Sequence, residues 1–148
     1  MATLTVTVTE ALTLNNTEQG GTVTQSITGI NDTLKRIISV PTSEVTLYVT
    51  HDTAVAGNTF DDDNIKYVRI SNLDGTNFVS LRISNASNDE MIYKLRAGES
   101  FLLYGHDDTM NASQAAALTI GVGEQNLTDV TAQANTATVD IEVFIAST

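Results

Sequence analysis

Between positions 3 and 9 the chain alternates strictly: Thr3, Thr5, Thr7 and Thr9 interleave with Leu4, Val6 and Val8. Only an extended backbone sends successive side chains to opposite faces, so a period of two excludes a helix here and predicts a half-buried strand. Its threonine face should meet water or a partner. The same period returns as Val23, Gln25 and Ile27 against Thr22, Thr24, Ser26 and Thr28, then around Ile38 and Val40 up to Pro41, the lone proline, which closes that strand. Val45, Leu47 and Val49 alternate with Thr46, Tyr48 and Thr50, and near the C-terminus Val139, Ile141, Val143 and Ile145 alternate with Thr138, Asp140, Glu142 and Phe144. Threonine occurs 23 times, and β-branched residues fill the periodic segments while Leu, Ala, Glu and Lys form no helical runs.

The segments between these runs carry turn chemistry. Ile65 to Ser71 and Phe78 to Ser84 flank Asn72-Leu73-Asp74-Gly75-Thr76-Asn77, where Asp-Gly offers the positive φ of a hairpin turn, so the two runs are expected to pair. Met91 to Ala97 and Ser100 to Tyr104, joined around Gly98-Glu99, read as a second hairpin-like unit. Leu118, Ile120 and Val122 suggest a short strand, and His51 to Asn64 reads as a long loop. The only helical candidate is Asp107 to Ala117, capped by Asp108 or Thr109. About eight to ten strands with turns every ~8 to 12 residues predict an all-β fold, an antiparallel two-sheet β-sandwich of jelly-roll or immunoglobulin-like type with at most one short helix. At 148 residues, against ~150 for a typical domain, the expectation is a single sandwich domain over 1–148.

Charge excludes some partners. Eighteen acids against seven bases give a net charge of −11, so a basic surface for nucleic acid or anionic membrane is not expected. All seven bases lie between Lys35 and Arg96, leaving the terminal regions strongly acidic. No cysteine is present, so disulfides and thiolate metal sites are ruled out. The start of the chain has no positively charged leader before its alternating run, which predicts synthesis in the cytoplasm.

Catalytic patterns are thin. His51-Asp52 and His106-Asp107-Asp108 are the places where imidazole meets carboxylate, yet each pair is sequence-adjacent in a loop and no Gly-x-Ser-x-Gly elbow accompanies them. Asp61-Asp62-Asp63-Asn64 gathers oxygen ligands of the kind calcium accepts, without EF-hand spacing. Neither pattern is assigned as a catalytic or metal site, and no cofactor is expected. Gly20-Gly21 and Gly121-Val122-Gly123 lack the sequel of a phosphate-binding loop and read as turns. Tyr48, Phe78 and Phe144 fall out of phase with the apolar positions of their own strands, on faces shared with polar residues, where large apolar groups mark subunit contacts or local cover. Together with Thr3, Thr5, Thr7, Asp140 and Glu142 they form the candidate interface set.

Tyr67-Val68-Arg69-Ile70-Ser71-Asn72-Leu73-Asp74-Gly75-Thr76-Asn77-Phe78-Val79-Ser80-Leu81-Arg82-Ile83, followed by Leu95-Arg96-Ala97-Gly98-Glu99-Ser100-Phe101-Leu102-Leu103, resembles a pattern in small structural proteins of tailed bacteriophage virions. The likeness spans Tyr67 to Leu103, about a quarter of the chain. It implies a β-sandwich that decorates, cements or connects parts of a virion. Its partners would be the major capsid protein or other virion proteins, with a homo-oligomer, a trimer by preference, and many copies acting together. A tail, neck or fibre-associated component fits the same residues. A receptor- or glycan-binding module using the loops 51–64 and 104–113 is the alternative of another class.

Overall fold

The computed structural model describes residues 1–51, 59–85, 89–104 and 127–148, with the backbone alone at position 51. The strands are β1 (Ala2–Glu10), β2 (Thr13–Leu14), β3 (Thr17–Glu18), β4 (Gly21–Ile30), β5 (Asp32–Val40), β6 (Val45–His51), β7 (Thr59–Asp61), β8 (Ile65–Asn72), β9 (Val79–Asn85), β10 (Glu90–Leu95), β11 (Ser100–Leu103), β12 (Leu127–Ala134) and β13 (Val139–Ser147), with one 3-10 turn at Asp62–Asn64. A five-stranded sheet in the order β10-β9-β12-β6-β7 faces a four-stranded sheet in the order β11-β8-β13-β5. Among the described residues every pairing is antiparallel except β6 with β7, where Val49, Thr50 and His51 run parallel to Thr59, Phe60 and Asp61. The fold is the expected all-β sandwich.

Alternation explains the core. Val139, Ile141, Val143 and Ile145 of β13 point inward and are fully buried, meeting Val79, Leu81 and Ile83 of β9 and Val130, Ala132 and Ala134 of β12 from the opposite sheet. At ~25 cal/mol per Å² of apolar surface removed from water, these two interlocking layers are the main stabilising term. The Arg36 guanidinium crosses between them and donates to the Leu47 carbonyl at 2.5 Å, tying β5 to β6.

The turn chemistry marked the right places and the wrong partners. β8 and β9 do not form a hairpin: β8 pairs with β11 and β13, β9 with β10 and β12, so residues 73–78 arch from one sheet to the other. Gly75 is outside the left-handed region. The arch is set instead by Asp74, whose carboxylate accepts from the amides of Thr76 and Asn77, both at 2.6 Å. Those two bonds hold the Asp74 carboxyl below its usual range. The segment 96–99 is likewise an arch, from β10 to β11, closed by Glu99 N–H donating to the Arg96 carbonyl at 3.1 Å with Gly98 at φ 73°. The true hairpin of this region joins β9 to β10, with Ile83 opposite Met91. Residues 107–117 and 118–122, the expected helix and short strand, lie outside the described residues.

The N-terminus departs furthest from expectation. Residues 2–30 do not enter either sheet; among the described residues β1 and β4 pair only with each other, in register Leu4↔Ile27, Val6↔Gln25, Val8↔Val23 and Glu10↔Gly21. β2 and β3 continue the ladder to a two-residue tip, Asn15 and Asn16, both with positive φ as such a tip demands. The result is a long two-stranded arm, joined to the sandwich at a bulge where Gly29 (φ 86°) is the extra residue opposite the Ala2–Thr3 step. The described residues thus form a sandwich carrying a two-stranded arm.

Gly20 permits the irregular step between the two parts of the arm: a Cβ there would sit 2.1 Å from the Glu10 carbonyl oxygen. Glu18 fastens the same step by accepting from the amides of Gly20 (2.9 Å) and Leu12 (3.3 Å). These contacts hold its carboxyl below the usual range, that of Gly20 foremost. Gly20→Ala is expected to abolish amide protection across residues 12–20 in hydrogen exchange while the melting temperature of the sandwich moves by less than ~2 °C, because the step lies outside the core.

Candidate functional site

The arm has two chemically distinct faces. One is a hydroxyl ladder in which Thr3, Thr5, Thr7 and Thr9 stand opposite Thr28, Ser26, Thr24 and Thr22. The Thr7 and Thr24 hydroxyls lie 3.3 Å apart, and Thr22 donates to Thr9 at 3.3 Å. Thr3, Thr5 and Thr7, expected at an interface, are all exposed. The other face is apolar, and its root rests on the sandwich: Leu4, Val6, Ile27 and Ile30 of the arm pack on a bed of Tyr67, Ala146, Leu102 and Phe144 on the outer side of the four-stranded sheet. Tyr67 is the centre of that bed, in edge contact with Phe144 (6.1 Å between centroids) and Tyr104 (5.8 Å), and its burial pushes the phenol pKa up. Beyond the bed the apolar residues continue with nothing over them. Val8 is 39% exposed, Leu12 55%, Leu14 56% and Val23 70%.

The candidate aromatics are distributed otherwise than the sequence suggests. Tyr48 is 3% exposed, packed in the core and against Phe60 at 6.4 Å, so it offers no surface to a partner. The phase argument failed there because β6 is covered on its second face too. Phe144 supports the arm from beneath. Phe78 lies in the 73–78 arch just before β9 and carries the Lys94 ammonium over its ring at 4.0 Å.

Asp140 and Glu142 stand on the outer face of the four-stranded sheet next to the arm's bed. Asp140 accepts from the Ser39 hydroxyl at 2.5 Å. Glu142 joins Arg69 (2.5 Å) and Lys35 (3.1 Å), while Arg69 reaches on to Ser71 and Ser71 shares a hydrogen bond with Ser100. This network spans all four strands of the sheet. The Arg69 and then the Lys35 hydrogen bonds hold the Glu142 carboxyl below its usual range. A carboxylate with a lowered folded pKa adds stability that is complete above its unfolded pKa and disappears as pH falls through the folded value. Glu142→Gln is therefore expected to be less stable than the parent at pH 7, with the two melting curves converging as pH drops below the carboxylate range; a gap independent of pH would contradict this.

On the outer face of the five-stranded sheet, Glu44, Arg82, Ser84, Glu90, Thr128, Asp129 and Thr131 line an open polar depression. Arg82 sits between Glu44 (3.3 Å) and Glu90 (3.4 Å), so the depression's cation is matched by carboxylates of its own chain. The carboxylates of Asp61, Asp62 and Asp63 come within 4.8 Å of one another. Asp61 caps the 3-10 turn by accepting from the Asp63 amide at 3.1 Å, and Lys66 donates to the Asp63 carbonyl at 2.7 Å, so the triplet has a local structural role. Asp52 and His106-Asp107-Asp108 lie outside the described residues.

One surface escaped the sequence analysis. β10 is an outer strand of the five-stranded sheet, and Met91, Ile92 and Tyr93 are exposed on it, Ile92 by 68%. The signal was present as three consecutive large apolar residues that break the alternation. No family model matches the chain, and the search of curated proteins returned none similar to it.

Proposed function

We propose that this chain is a structural protein of a bacteriophage virion, a decoration or cement protein that binds the capsid lattice non-covalently and stabilises it. The observation that carries this reading is the arm, a projecting two-stranded element whose apolar face outruns the sandwich that supports it. An extended arm of this kind reaches across the boundary between neighbouring subunits of a lattice, where many weak contacts sum to tight attachment. The acidic terminal regions favour a basic docking surface and would chiefly speed encounter. The stretch from Tyr67 to Leu103 on which the resemblance to virion proteins rests supplies Tyr67 and Leu102 to the arm's bed.

The test is binding of the purified chain to heads of the encoding virus from which it has been removed. Saturable binding and a raised disruption temperature of the heads are expected, and Val8→Asp with Val23→Asp should weaken binding at least tenfold. Absence of binding to heads, with the protein located on the tail by antibody labelling, would move the assignment to a tail, neck or fibre component. Absence from the particle altogether would overturn it.

A further inference from the structure

We infer that the arm of one copy docks along the β10 edge of a second copy, with β4 extending the five-stranded sheet of its neighbour. Among the described residues β4 pairs only with β1 and β10 only with β9, so each presents one unpaired backbone edge. Exposed edges carrying large apolar residues are templates for strand addition. The arm rests on the outer side of the four-stranded sheet, whereas β10 borders the other sheet, so the two edges of one copy face different layers.

Charge selects the orientation. Residues 2–30 contain Glu10 and Glu18 and no base, while β10 carries Glu90 at its start and Lys94 near its end, with Arg96 just beyond. Laid antiparallel with Val23 opposite Ile92, β4 sets Gly21 opposite Lys94 and Gln25 opposite Glu90. Glu10 is the register partner of Gly21 and lies on the same face as Val8 and Val23. Because Gly21 has no side chain, nothing on that face stands between the Glu10 carboxylate and Lys94 one strand further on. The parallel alternative brings Glu10 towards Glu90 and is opposed by like charge. Val8, Val23 and Ile92 then form one apolar row across three strands. Arm and edge are different surfaces, so the contact is head-to-tail and closes into a ring when the rotation allows.

This mode of self-association does not depend on the virion assignment, and it is tested without capsids. Sedimentation velocity of the full chain over a wide concentration range is expected to show association, and Val8→Asp/Val23→Asp and Ile92→Asp should each sediment as monomers. Mixing those two variants is the decisive step: one retains a sound edge, the other a sound arm, and a one-to-one heterodimer is expected at the upper concentrations. Its formation also shows that both variants are folded. Reversing Glu10 to Lys should weaken association about tenfold, and adding Lys94→Glu in the same chain should restore it. A parent chain that stays monomeric, an Ile92→Asp variant that associates like the parent, or a mixture that yields no heterodimer would overturn the inference. Arms pairing with arms would give the second of these outcomes.

Discussion

Replacing Asn72 with Asp is expected to lower the melting temperature by about 10 °C. Asn72 ends β8 at the point where both inter-sheet arches converge, and it is 2% exposed. Its amide nitrogen donates to the carbonyls of Asn77 (2.9 Å) and Leu95 (3.3 Å), and its amide oxygen accepts from the Asp74 N–H at 2.9 Å. Its own backbone amide donates to the Glu99 carbonyl at 2.9 Å, so one residue fastens the 73–78 arch to the 96–99 arch. A carboxylate of the same shape keeps the acceptor and loses both donors, placing a negative charge against two carbonyl oxygens away from water. Such a loss costs about 3 kcal/mol or more, and in a domain of this size each kcal/mol moves the midpoint by ~2 to 4 °C. Burial raises the pKa of the introduced acid, and the protonated form can donate one bond, so the deficit should shrink as pH falls towards ~4. A midpoint within 3 °C of the parent at pH 7 would mean that the arches are held by something else.

The second large effect concerns the root of the arm. Phe144→Ala removes a ring from the bed beneath Leu4, Val6 and Ile27 while leaving β13's inward residues in place. Losing a half-buried aromatic there costs about 2 kcal/mol, and because the arm rests on the sandwich along this bed, the loss should appear as local opening. Amide exchange along β1 and β4 is expected to accelerate about 30-fold, the factor that ~2 kcal/mol represents, with β9 and β12 protected as in the parent. Uniform acceleration across all strands would show that arm and sandwich unfold as one unit.

How far the sequence was legible follows from what alternation and turn chemistry each encode. Period two located β1, β4, β6 and β13 closely, and the end but not the start of β5, because one face of each strand meets something different from the other. It carried no information about which strand lies alongside, so nothing in Thr3 to Thr9 announced that β1 would pair with β4 outside both sheets. Asp74-Gly75 and Gly98-Glu99 marked chain reversals correctly. A reversal between sheets and a reversal within one use the same turn residues, and the choice between them depends on Asn72, whose two donors reach carbonyls five and 23 positions away. β7 was missed because its three residues are too short to show a period. Of the candidate interface residues, Thr3, Thr5 and Thr7 are exposed on the hydroxyl face of the arm, whereas Tyr48 is buried, because the second face of its strand is covered as well.

On the proposed function, the arm's apolar face is a contact surface in the assembled particle. The chain contains no cysteine, so Val23→Cys supplies a single thiol at the most exposed large apolar residue of the arm. Its rate of maleimide labelling, measured in dilute free protein and again on intact particles, tests the claim directly. Rapid labelling when free and at least tenfold slower labelling on the particle is the predicted result; equal rates in both states would contradict it.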